Sequence, residues 1–233
     1  MRRRPVPAAA CYLVLAGVDT WLAASPDPRR RRWRRLTKPA LMPMLAAATA
    51  AATPVGAPGR GAVLAAQAAS GAGDVALLGS GERSFLAGVG SFAVAHAAYL
   101  RGLGRWGRPW ADPAGRRAPV AAAAAWSVLG PAMAGAAARE RPALRGPVLG
   151  YVAILLSMGA SAGRLDPRLP RSARAALGSG AALFLLSDTL IGVREFWVAD
   201  ADPVLDARLD GAVMATYTAG QGLLALGAVR AIR

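Results

Sequence analysis

Cysteine is nearly missing from this chain of 233 residues. Cys11 stands alone, which excludes an intramolecular disulfide and any cysteine-based metal site. It lies in an apolar run and reads as a small packing residue. Histidine and lysine occur once each, as His96 and Lys38, so no ligand-spaced metal cluster can be assembled, and neither a metal nor a cofactor is expected. P-loop and HExxH motifs are absent, which removes the common signatures of nucleotide and zinc-protease chemistry. Acidic residues are scarce, 13 against 28 basic ones, for a net charge of +15. That balance would suit nucleic acid, but zinc-finger spacing and interleaved aromatic and basic residues are lacking, so no nucleic-acid partner is expected. The basic residues fall in or at the ends of the segments between apolar runs and read as interface anchors and lipid-headgroup contacts.

What is abundant is apolar sequence. Hydrophobic residues make up 55% of the chain, and the mean hydropathy is +0.34. This exceeds what an ordinary water-soluble domain carries and predicts an all-α, polytopic membrane protein. The predicted architecture is a bundle of eight transmembrane helices forming a single domain over residues 1–233, with helices near 6–24, 39–52, 61–78, 83–100, 118–138, 144–163, 174–196 and 209–229. The first run also has the outline of a signal peptide, with the short basic start Met1–Pro5 as its charged region. Asp19 and Trp21 late in it, and the arginines after it, favour a spanning helix, with Asp19 as a local partner for Arg. Pro39 marks a helix start, since proline is tolerated in a first turn, and Pro43 bends the helix near that start. Gly79-Ser80-Gly81-Glu82 is a tight turn. Arg101–Arg117 is the longest polar loop, with Trp106 and Trp110 at the membrane interface. Glu195–Asp210, with Asp200, Asp202 and Asp206, reads as a solvated acidic turn. Basic residues divide 15 to 13 between the two sides, so charge does not decide orientation.

The stretch ALGSGAALFLLSDTLIGVREF, Ala176–Phe196, carries Asp188 late in an apolar run, beside Ser187. An aspartate there costs roughly 2.5–3.5 kcal/mol at a helix centre and is kept where it faces a partner or a cavity. Other polar residues in the runs fall on helical faces: Gln67, Gly71 and Asp74; Phe92, His96 and Tyr99; Met214, Tyr217 and Gln221; Phe184 and Asp188. Faces of this kind turn inward in a bundle. A shared internal site lined by Asp74, Asp188, His96, Tyr99, Tyr217 and Gln221 is the economical arrangement. Ordinary alternatives stand beside it: interhelical hydrogen bonding for the aspartates, His96 and Gln221, and an interface aromatic for Tyr99.

At these residues the chain resembles the lysoplasmalogenase (YhhN-like) membrane hydrolases. The matching pieces are SGAGDVALL around Asp74, SFLAGVGSFAVAHAAY ending at Tyr99, GSGAALFLLSD around Asp188 and ATYTAGQGLLAL around Gln221, with a looser match in LTKPALMP around Lys38. They fall in order from about Thr37 to Val229; the first run and the Arg105–Ala118 loop match poorly. The resemblance implies a cell-membrane enzyme that cleaves the vinyl ether bond of lysoplasmalogens, with a lysophospholipid substrate, membrane lipids around it, and Asp74 and Asp188 as the two important aspartates. Protonation of a vinyl ether and stabilisation of the resulting cation suit two carboxylates in a poorly hydrated site. Lys38 is then a candidate for the substrate phosphate, and His96, Tyr99, Ser187, Tyr217 and Gln221 support the site. A small transporter or channel using the same carboxylates to relay protons or a cation is the reading from another class.

Overall fold

The computed structural model describes residues 6–109, 112–198 and 202–232, and within them the ordered elements are helical, apart from an isolated bridge between Gly107 and Leu165. The helices are α1 Val6–Ala23, the single turn α2 Pro28–Arg31, α3 Arg34–Ala52, α4 Arg60–Ala76, α5 Glu82–Arg105, α6 Arg117–Glu140, α7 Arg145–Ala162, α8 Arg171–Trp197 and α9 Pro203–Ile232. Four stretches are long and apolar enough to cross a membrane: Pro113–Arg139, Pro142–Ala162, Arg171–Trp197 and Pro203–Ile232. Short links fold consecutive long helices back on each other, so their ends collect in two sets. One end gathers the close of α1, α4, α6 and α8 with the start of α3, α5, α7 and α9.

Several expected boundaries move. The α3 helix begins at Arg34, not Pro39, and both Pro39 and Pro43 lie inside it. The cause lies in α1: Asp19 accepts hydrogen bonds from Thr37 Oγ1 (2.5 Å) and Arg34 Nε (3.4 Å), which dock the first turn before the prolines are reached. The Asp19–Arg34 contact is the local pairing expected for this acid. The α5 helix continues to Arg105, which shortens the polar loop. Trp106 is buried against Gly59, where an added Cβ would lie 2.6 Å from its ring, so it packs inside and is not an interface anchor. Trp110, Asp200 and Met1–Pro5 lie outside the described residues. Cys11 is exposed, not packed.

The acidic segment is also corrected. Its first part closes α8, and α9 starts at Pro203, so Asp206 and Asp210 are helical. Asp210 is buried and accepts from Arg31 Nη2 at 2.7 Å and Arg34 Nη1 at 2.6 Å. Asp206 accepts from Arg194 Nε at 2.5 Å and Arg31 Nη1 at 3.1 Å. This is a clamp joining α2, α3, α8 and α9, not a solvated turn. Some arginines expected at the lipid interface are therefore internal ties; Arg34 and Arg164 are buried outright.

Close backbone approach holds the long C-terminal pair together. A Cβ on Gly180 would lie 2.8 Å from the Leu224 backbone nitrogen, and one on Gly220 would lie 3.0 Å from that of Phe184. Small residues at such crossings give membrane helices their van der Waals contact, where apolar burial alone does not distinguish a neighbour from lipid. Phe92, Tyr99, Phe184, Met214, Tyr217 and Leu224 fill the centre of the core.

Candidate active site

Two buried carboxylates sit on either side of an aromatic layer. Asp188, in the C-terminal half of α8, accepts a hydrogen bond from Tyr151 of α7 at 2.5 Å. His96 Nε2 of α5 lies 2.8 Å from the same oxygen, Oδ2. Tyr151 and His96 are 3.1 Å apart, so the three groups close a triangle. Two donors thus meet on one oxygen, and Oδ1 has no hydrogen-bond partner among the described residues. His96 Nδ1 is likewise buried without one.

Asp74, in the last turn of α4, accepts from Tyr217 of α9 at 2.7 Å, and Lys38 Nζ of α3 approaches its other oxygen at 3.8 Å. Lys38 is itself buried. Phe92, Phe184 and Tyr217 stack edge to face between the two acids, with centroids 5.5–6.3 Å apart. Gly73 allows this: a Cβ there would lie 2.7 Å from the Phe92 ring, so the glycine beside Asp74 lets the ring rest on α4. Among the described residues no hydrogen bond joins Asp74 to Asp188.

The two acids differ in what they open onto. Asp188 lines a cleft of about 130 Å³ between α5, α6, α7 and α8 and is its only charged lining residue among the described residues. The cleft extends between Phe85 and Phe196, at the start of α5 and the end of α8, and Leu156 and Leu185. Asp74 is not among its lining residues.

The other expected residues lock helices. Tyr99 is buried, not at an interface, and donates to Gln221 Oε1 at 2.5 Å; Gln221 Nε2 in turn donates to Ser70 at 2.9 Å. This chain ties α5 to α9 and α9 to α4. Ser187 donates to the Val213 carbonyl at 3.2 Å, so it faces α9. Among the described residues no group of three or more His, Cys, Asp or Glu could hold a metal ion.

Sequence reasoning missed Tyr151 as a site residue. Its signal was a phenol in an apolar helix, spaced by three from Val148 and four from Leu155 on the cleft face. It also missed the Arg31–Arg34–Asp210 clamp, in which Asp210 lies more than 170 residues from both arginines.

A helical bundle with four membrane-length apolar helices, and with its acids buried against hydroxyl, imidazole and ammonium donors, defines a class: membrane proteins with an internal polar site. The family is also settled. The model of the YhhN family matches residues 33–228, and the chain belongs to that family, the lysoplasmalogenase family. Neither a curated protein nor a solved structure matches the chain. The matched span begins just before α3, so α1 and α2 lie outside it.

Proposed function

We propose that the chain is a multi-pass enzyme of the cell membrane, a single eight-helix domain, that hydrolyses the vinyl ether bond of lysoplasmalogens. The products are a fatty aldehyde and glycerophosphoethanolamine or glycerophosphocholine. Family membership supports the reaction class. One observation carries the site: among the described residues Asp188 is the single charged group on a mostly apolar cleft, and one of its oxygens is unpartnered.

The chemistry starts from that carboxyl. Asp188 Oδ1–H protonates the β-carbon; the alkene electron pair forms the new C–H bond, and an oxocarbenium ion remains. The carboxylate left behind is held by Tyr151 and His96 on Oδ2. Water adds to the α-carbon and returns a proton to Asp188. The hemiacetal then collapses: its C–O bond breaks as its O–H proton passes to the glycerol oxygen, releasing the aldehyde and the glycerol hydroxyl. One hydrogen of the water thus replaces the proton Asp188 gave to the β-carbon, and the other ends on the glycerol oxygen. A carboxylic acid acting on an oxocarbenium-like transition state has its parallel in the glycosidases. Asp74, paired with Lys38 and Tyr217 outside the cleft, balances the Lys38 ammonium and holds α3, α4 and α9 together beside the site. Tyr99, Gln221 and Ser187 hold α4, α5, α8 and α9 in register around the cleft.

The test is aldehyde release from a lysoplasmalogen by detergent-purified protein, with Asp188→Asn and Asp74→Asn alongside. Loss of a general acid lowers the rate by about 10²–10⁴-fold. A carrier that relays protons through the same carboxylates releases no aldehyde.

A further inference from the structure

One end of the cleft carries an ion pair that the proposed chemistry does not use. Arg141 sits in the link between α6 and α7, its backbone N–H bonded to Ala137 O. Its guanidinium lies over the Phe85 ring, 5.4 Å from the centroid, and its Nη2 pairs with Glu195 Oε1. Phe85 packs edge-on against Phe196 at 6.1 Å, and both rings line the cleft. The pair therefore stands at the Phe85–Phe196 end of the cleft. The side chains of Arg141 and Glu195 keep 28% and 36% of their surface exposed, so a ligand can reach both.

Position along α8 fixes the spacing. Glu195 comes seven residues after Asp188, which is about 10 Å along a helix. Between them the wall is apolar, with Ile191 and Gly192. A molecule that fills this track has a charged end at the ion pair, a reactive bond by Asp188 and an aliphatic chain running on toward Leu156. A three-carbon glycerol backbone, met by a long arginine side chain, covers that span. The fork of donors on an arginine matches a phosphate better than a lysine does. The adjacent carboxylate matches a cation next to that phosphate.

We propose that Arg141 and Glu195 are the headgroup subsite: Arg141 takes the phosphate and Glu195 the amine of a zwitterionic, single-chain glycerophospholipid. This rests on the hydrolase reading for the bond cleaved, but not for the binding. It also moves phosphate recognition from Lys38, which is buried against Asp74, to the Phe85–Phe196 end of the cleft.

The experiment compares two substrates, an ethanolamine lysoplasmalogen and the matching 1-alkenylglycerol, which has the same vinyl ether and no phosphate. Arg141→Ala raises KM for the first about 10-fold, the scale of one lost hydrogen bond to a charged group, with kcat within about 2-fold and the alkenylglycerol unaffected. The swap Arg141→Glu with Glu195→Arg restores an ion pair; it stays impaired on the phosphate substrate and normal on the alkenylglycerol. Equal loss on both substrates, rescue by the swap, or no change in Arg141→Ala overturns the proposal. If the wild type releases no aldehyde, the hydrolase reading fails, and binding of 1-O-hexadecyl-glycerophosphoethanolamine, which cannot be hydrolysed, decides the subsite. The wild type then binds it about 10-fold more tightly than 1-O-hexadecylglycerol, and Arg141→Ala abolishes the difference. No such preference, or one that survives the substitution, refutes it.

Discussion

Asp74 and Asp188 are alike in sequence and opposite in setting. Each is an acid in the C-terminal half of a helix, each is buried, and each accepts from a tyrosine of another helix. Asp188 adds an imidazole and faces a cleft; Asp74 adds an ammonium and is enclosed by α3, α4 and α9. The difference teaches what a buried carboxylate can be used for. One that keeps a free oxygen toward an open space can exchange protons with a ligand. One whose two oxygens both face protein donors is an internal counter-charge, and its loss leaves a cation buried alone.

The largest expected effect separates them at once. Asp188→Asn lowers aldehyde release by about 10²–10⁴-fold. Its melting temperature stays near wild type, because an amide oxygen still accepts from Tyr151. Asp74→Asn differs in kind. It strands Lys38, and breaking a buried pair costs about 3–5 kcal/mol. A thermal melt in detergent reads that loss, and adding Lys38→Met recovers most of the stability without restoring full activity. Equal melting of the two Asn variants would erase the distinction.

The tyrosines sharpen it. Removing one hydrogen bond to a charged group is worth about 1.5–3 kcal/mol. In Tyr151→Phe that loss appears in kcat, about 10–100-fold. In Tyr217→Phe it appears first in the melting temperature. The smallest effect concerns the far end of the cleft. Leu156 also lines a second cavity of about 730 Å³ between α5, α6 and α7, and so stands between the two spaces. Leu156→Trp narrows that end of the cleft and raises KM for long-chain substrates up to about 10-fold, the scale of an apolar-pocket mismatch, sparing short chains. A chain-length series measures it.

The inward faces were legible in the sequence because they depend on spacing within one helix. Asp74 and Gln67, His96 and Tyr99, Tyr217 and Gln221, Phe184 and Asp188 all share faces that turn into the bundle. Pairings between helices were not legible, since nothing local distinguishes Tyr151 from an interface tyrosine. Two boundaries failed because local chemistry pointed elsewhere. Pro39 looked like a first turn, but Asp19 pulls Thr37 and Arg34 into the helix ahead of it. The run of aspartates looked solvated, but Arg31, Arg34 and Arg194 neutralise Asp206 and Asp210 within α9. In both cases a long-range ion pair overrode a local preference.

The most direct measurement is stoichiometric: aldehyde and glycerophosphoethanolamine released from ethanolamine lysoplasmalogen by the purified wild type and by Asp188→Asn. The account predicts equal amounts of both products from the wild type and at most about 1% of that rate from a stably folded Asp188→Asn. Full activity in Asp188→Asn, or no aldehyde from folded wild type, contradicts it.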